Sequence, residues 1–236
     1  MVKGVITDRC PTGIVGFDKL CRGGFVRQST NLLVGGPGSG KTTFLLQFLW
    51  NGSQLYGENG LYVSFEPDIL ETFKDASNLG WDFQKLDAAN KCKLVKMSPN
   101  VSQKELSSEL MSVVSKYDIK RVCFDPVTVF ALSLEREGEI REKIFELSSL
   151  LKRLNVTVLL SDEDGGDILG MLSPSDITRT NALKFTSDSV VMLHSTGLGG
   201  IDDRAVRIVK MRRTNHIRGP VPMEITDAGI KVTQQE

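Results

Sequence analysis

No apolar run in the sequence approaches the ~20 consecutive positions that a membrane-crossing helix needs. The stretch from Met1 to Leu20 holds no continuous apolar segment of the secretory kind. A soluble, cytoplasmic protein is therefore expected. Neither sign of charge is in surplus, since Lys+Arg and Asp+Glu number 29 each. A dedicated nucleic-acid binder gains from a basic excess, so the balance counts against that class, though not against a local basic patch. Cysteine is sparse: Cys10, Cys21, Cys92 and Cys123 form no C-x-x-C pair, which leaves metal and disulfide readings poor and suits a reducing compartment. Cys123 lies in an apolar run and reads as a small core residue. Internal repeats, low-complexity tracts and Pro/Gly/Ser linkers are all missing. The 236 residues are expected to form one domain, 1–236.

What is present alternates. Short apolar runs at Asn31 to Val34, Leu61 to Phe65, Lys93 to Met97, Arg121 to Phe124 and Val156 to Leu160 are separated by helical patterns. That order predicts an α/β fold with a mainly parallel sheet flanked by helices. The helix from Lys41 to Trp50 is apolar nearly all round, as burial against the sheet requires. Ser102 and Glu105 have the form of a capping box ahead of Leu106, Leu110, Val113 and Tyr117 at helical spacing. Ile140, Ile144, Leu147, Leu151 and Leu154 share one face of another helix. Ser161 to Ser187 is rich in Asp, Gly, Ser and Thr and reads as a long loop. Three β-like runs close the chain, Ser189 to Leu193, Ala205 to Lys210 and Val221 to Ile225, the last two pairing through the basic stretch between them as a C-terminal hairpin.

Gly35-Gly36-Pro37-Gly38-Ser39-Gly40-Lys41-Thr42 fits the P-loop pattern G-x-x-x-x-G-K-[ST]. Glycines let backbone N–H groups wrap a phosphate, and the following helix offers its N-terminus to the same anion. Lys41 can reach the β- and γ-phosphates, and the Thr42 hydroxyl can join a Mg²⁺ shell. Gly36 to Thr42, with Thr43 beside them, are the expected ATP-binding residues. A plain glycine turn is the alternative, but the pattern arises by chance in roughly one chain in a hundred, and here it lies between a strand and a helix. No Asn-Lys-x-Asp element for guanine occurs, so adenine is the default base.

Asp125 ends the run Val122-Cys123-Phe124. At a strand end it can hold Mg²⁺ opposite Thr42, or it can simply open an Asp-Pro turn with Pro126. The upstream P-loop favours the metal role. Glu66 ends the strand after the P-loop helix, where it can orient or deprotonate the attacking water; a solvated strand-end residue is the alternative.

Beyond these motifs, Pro11-Thr12-Gly13-Ile14-Val15-Gly16-Phe17-Asp18-Lys19-Leu20, Gly23-Gly24-Phe25 and Gln47-Phe48-Leu49-Trp50-Asn51-Gly52 resemble the opening of a KaiC-like domain of the RecA superfamily. Tyr62 to Glu66 is similar to that family's catalytic-glutamate strand, and Leu79 to Asp82, Phe185 to Val191 and Lys210 to Gly219 are similar to further landmarks, so nearly the whole chain is covered. The resemblance implies a RecA-like P-loop NTPase core and an ATP-dependent homo-oligomeric ring, typically a hexamer, with nucleotide between neighbours. It implies that Lys210 and Arg212, in a Lys-x-Arg motif, reach the γ-phosphate of the adjacent subunit. The residues alone would read as a solvated basic hairpin. Two departures stand out. Many members carry two glutamates where this chain has Glu66-Pro67, and a hydroxyl residue where it has Pro126. The lost carboxylate can weaken hydrolysis, and the proline can disturb a sensing hydrogen bond. The circadian member's phosphorylated Ser-Thr pair falls at Lys184-Phe185 here, so clock-type autophosphorylation is not expected.

Three functions compete. A ring ATPase coupling nucleotide state to assembly or to conformational signalling, with a further protein partner, is first. A low-turnover ATP-binding scaffold or regulatory module is second. A RecA/RadA-like DNA-binding ATPase is third, because Asp162, Glu163, Asp164, Asp167 and Asp176 face only Arg179 and Lys184 in the stretch after the fifth strand.

Overall fold

The chain opens with strand β1 (Arg9–Cys10), helix α1 (Phe17–Leu20) and strand β2 (Phe25–Val26), which pairs antiparallel with β1. There follow β3 (Thr30–Gly35), α2 (Lys41–Tyr56), β4 (Asn59–Ser64), α3 (Ile69–Asn78), α4 (Phe83–Ala88) and β5 (Cys92–Lys96). The second half runs α5 (Gln103–Lys116), β6 (Ile119–Asp125), α6 (Glu137–Arg153), β7 (Thr157–Glu163), α7 (Pro174–Thr186), β8 (Ser189–Ser195), β9 (Arg204–Met211), β10 (Val221–Thr226) and β11 (Gly229–Val232). The structure is a computed structural model and describes residues 8–65, 69–127, 129, 136–163, 174–195 and 203–233.

The large sheet has the order β11-β10-β9-β8-β3-β7-β6-β4-β5. From β8 to β5 neighbours are parallel, and β9, β10 and β11 extend it antiparallel. The expected mainly parallel sheet with a C-terminal hairpin is what forms. Parallel strands sit between helix layers, which is why their sequences read as apolar runs with no polar face. Side chains nonetheless alternate between two cores. Leu33, Tyr62, Cys123 and Leu159 join α2 residues such as Phe44, Leu45 and Phe48 on one face. Leu32, Val34, Leu61, Val63, Val122, Phe124, Val158 and Leu160 meet α5 and α6 on the other. By that parity Asp125, two residues beyond Cys123, belongs to the α2 face.

Local signals account for the helix ends. The Ser102 side chain accepts from the Glu105 N–H at 3.2 Å while Glu105 accepts from the Ser102 N–H at 3.1 Å, the reciprocal capping box. α2 starts differently. Its N-cap is Gly40 in the left-handed region, with no side-chain cap, so its first amides keep their donor capacity for something else.

Ser161 to Ser187 is not a long loop. β7 runs on through Ser161, Asp162 and Glu163, and α7 occupies Pro174–Thr186, while 164–173 lie outside the described residues. Ser, Thr, Asp and Asn favour caps and turns over helix interiors, which hides a helix from periodicity. Tertiary packing supplies what propensity lacks. Leu183 is buried in the α5/α6 core, and Ser187 donates its hydroxyl to the Leu183 carbonyl at 2.7 Å. β11, four residues long, escaped notice for lack of length; it folds back on β10 with Thr226 opposite Gly229. β9 and β10 pair as expected, Val206 opposite Val221.

All four cysteines are free and buried. Burial pushes the Cys10 thiol up to about 11 and the Cys21 thiol up to about 12, so these are packing groups and not nucleophiles. Among the described residues no helix is long and apolar enough to cross a membrane.

Candidate functional site

The site is built beyond the carboxyl ends of the parallel strands, where open α/β sheets gather ligands. β3 delivers the chain into the glycine loop and α2 leaves it. One glycine there is dictated by space and another by backbone conformation. A Cβ on Gly35 would stand 2.5 Å from Ser39 Oγ and 2.6 Å from the Leu193 carbonyl oxygen. Gly40 has φ +95°, and its Cβ would meet Ile225 Cδ1 at 2.8 Å.

Lys41 is 8% exposed, and its ammonium donates to the Gly35 and Gly36 carbonyls at 2.7 and 3.0 Å. The cation is thus folded back on the loop it serves. Ser39 Oγ is buried without a hydrogen-bond partner. With the uncapped start of α2, this makes a set of donors awaiting an acceptor, which suits an anion. Beside it opens a cavity of roughly 410 Å³, bounded by Pro37, Gly38, Gly40 and Lys41 to Thr43 on the loop side and by Asp125, Pro126, Glu163 and Ile225 opposite.

Asp125 is 8% exposed. Its Oδ2 accepts from the Thr42 hydroxyl at 2.8 Å and from the Tyr62 phenol at 2.7 Å, and its Oδ1 accepts from the Ser161 hydroxyl. Thr42 and Asp125 therefore come together, as the sequence predicts. A hydroxyl and a carboxylate are hard oxygen donors that match a magnesium ion, so the residues present fit both triphosphate and metal.

Other expected residues stand elsewhere. Glu66, with Pro67, lies outside the described residues. Lys210 and Arg212 do not border the cavity. Lys210 donates to the Lys184, Phe185 and Ser187 carbonyls. Arg212 lies 3.7 Å from the Asp188 carboxylate. Burial pushes the Lys210 ammonium below its ordinary value, and the Arg212 charge adds to this while Asp188 opposes it.

Sequence reasoning missed four participants. Tyr62 and Ser161 grip Asp125; Glu163 borders the cavity at the end of β7; Arg204 donates from Nε to the Gly38 carbonyl at 3.4 Å. Glu163 had a usable signal, being acidic at the carboxyl end of a parallel strand. Arg204 had none, because only the pairing of β9 with β8, Arg204 opposite Ser195, carries it to the loop.

A glycine loop after β3, an aspartate closing β6 and one strand, β7, between them define a P-loop nucleotide-binding domain of RecA-like architecture. The KaiC ATPase family model matches residues 10–236, and the chain belongs to that family. It is 34% identical over 230 residues to the circadian clock oscillator protein KaiC of Parathermosynechococcus lividus, covering 94% of this chain and 41% of that protein. It is 33% identical to the KaiC of a Prochlorococcus marinus strain, covering 95% and 45%. The chain thus spans under half the length of these relatives. A crystal structure of a KaiC-like protein from the hyperthermophilic archaeon Pyrococcus horikoshii superposes with a TM-score of 0.82 at 34% identity, covering 97% of this chain and all of the other.

Proposed function

We propose that residues 1–236 act as one KaiC-like domain that binds ATP with magnesium at Gly36 to Thr43 and hydrolyses it at the interfaces of a homo-oligomeric ring, a hexamer by family habit. The observation that carries this reading is the Thr42–Asp125 contact at 2.8 Å beside an uncapped helix start. Lys41 gives up its two carbonyls to contact the β- and γ-phosphates, where its charge offsets that of the transferring group. Glu66 orients a water and accepts its proton as the water oxygen bonds to the γ-phosphorus, and the bridging oxygen leaves with ADP. Thr42 and Asp125 would hold magnesium, which would supply charge neutralisation at the phosphate oxygens. Lys210 and Arg212 complete the site from the neighbouring subunit. The KaiC relatives' role as clock oscillators supports the coupling of nucleotide state to conformational signalling towards a protein partner in the cytoplasm.

A second reading, a slow ATP-binding regulatory module, is favoured by Lys210, whose ammonium is engaged within its own protomer. Single-turnover hydrolysis separates the two. The Glu66→Gln protein is expected to be slower by about 10²-fold, the lower range for loss of a general base. Equal rates near background would leave only the binding module.

A further inference from the structure

We propose that Tyr62 is a positioning residue for the site, its phenol fixing the orientation in which Asp125 presents its carboxylate to the divalent cation. The inference rests on the nucleotide reading above and adds a residue to it. β4 and β6 run parallel with Tyr62 opposite Cys123 and Ser64 opposite Asp125. The in-row neighbour of Asp125 on β4 is therefore Ser64, and Tyr62 stands one row back on the same face. A phenol oxygen is long enough to cover that diagonal step, and it reaches Asp125 Oδ2 at 2.7 Å.

The distribution of donors gives the contact its meaning. An ionised carboxylate only accepts, and this one accepts from three hydroxyls on three elements: Thr42 on α2, Tyr62 on β4 and Ser161 on β7. Thr42 is itself the expected metal ligand, and its hydroxyl would turn from Oδ2 to the ion when one is bound. Tyr62 donates to that same oxygen from a position that does not border the cavity. The residue is 2% exposed, its ring meets Phe73 of α3 edge-on at 5.9 Å, and Phe73 in turn packs on Phe83 at 5.3 Å. A ring so enclosed holds its phenol towards Oδ2. Phenylalanine at 62 would fill the same space and lack only the donor.

Outer-shell partners of metal ligands are typically worth 10–100-fold in metal affinity. The test follows fluorescent ATP-analogue binding to the full chain with and without magnesium. Tyr62→Phe is expected to raise the half-saturating magnesium concentration about tenfold, with metal-free nucleotide affinity within about twofold of the parent. Val63→Ala loosens the opposite core from the same strand but leaves the Tyr62 ring, its Phe73 contact and its hydroxyl in place, and is expected to leave the magnesium dependence at the parent value. Unchanged magnesium dependence in Tyr62→Phe, or the same rise in Val63→Ala, would overturn the proposal. A parent chain that binds no nucleotide sinks the underlying reading instead, so the two failures are distinguishable.

Discussion

Lys210 donates to the Ser187 carbonyl at 2.6 Å, and to the carbonyls of Lys184 and Phe185 at 3.1 and 3.2 Å. A cation from β9 thereby closes the C-terminal end of α7, where the last carbonyls lack intrahelical partners and the helix dipole favours positive charge. The neighbouring strand turn is tied in as well. The Arg212 N–H donates to the Asp188 carbonyl at 2.9 Å, and an Asp188 carboxylate oxygen accepts from the Thr30 N–H at 3.1 Å. Within one protomer, then, Lys210 is a helix cap. A role at a neighbour's phosphate requires it to leave three carbonyls.

The two members of the Lys-x-Arg pair should accordingly separate on mutation. Lys210→Ala removes the cap and is expected to cost about 1 kcal/mol, read as a melting midpoint lower by about 2–4 °C in a chain of this size. Arg212→Ala loses only a half-exposed ion pair and should stay within about 0.5 kcal/mol of the parent. Both should slow hydrolysis at saturating ATP while nucleotide affinity holds within about threefold. Parent-rate turnover in Arg212→Ala, measured on assembled protein, would remove the arginine from the neighbour's site.

Much of this was legible because burial writes itself into parallel strands. β3, β4, β6 and β7 are short apolar runs with helices on both faces, and the Gly35–Thr42 spacing is readable as a phosphate loop, with glycine required by space at Gly35 and by positive φ at Gly38 and Gly40. α7 was illegible because its Ser, Thr, Asp and Asn residues carry no helical stripe; its contacts with α6 make it a helix. Tyr62 and Ser161 were illegible for another reason. Each is an ordinary strand residue, and only the registers of β4 and β7 against β6 place their hydroxyls on Asp125.

Lys41→Ala tests the nucleotide site directly. The ammonium bonds the Gly35 and Gly36 carbonyls and is expected to exchange them for phosphate oxygens. Charge-assisted bonds of that kind contribute about 1.5–3 kcal/mol each, so ATP affinity measured by calorimetry should fall by at least about 100-fold. The same affinity in parent and variant would remove the triphosphate from Gly35–Thr42.

At the opposite end of β6 a second charged centre governs stability in acid. Glu58 accepts from Arg27 and from Arg121 at 2.6 Å each. Arg121 is fully buried, lies 4.5 Å from the Phe48 ring centre and donates to the Phe48 carbonyl at 3.0 Å. Burial by itself would push the Glu58 carboxyl up, but hydrogen bonds and charge from Arg27 and Arg121 outweigh it and hold the group below its ordinary value of 4.5. The folded carboxyl therefore binds its proton more weakly than the unfolded one. Its contribution to stability is complete above about pH 4.5 and is lost as the pH falls through the lower folded value. Glu58→Gln leaves the Arg121 charge buried without its counter-ion, and should cost about 3 kcal/mol near neutral pH. Urea midpoints taken from pH 7 down to pH 3 should then fall more steeply for the parent than for the variant, so that the two curves converge in acid. Curves that stay parallel over that range would show that Glu58 is not the group whose protonation loosens this corner of the sheet.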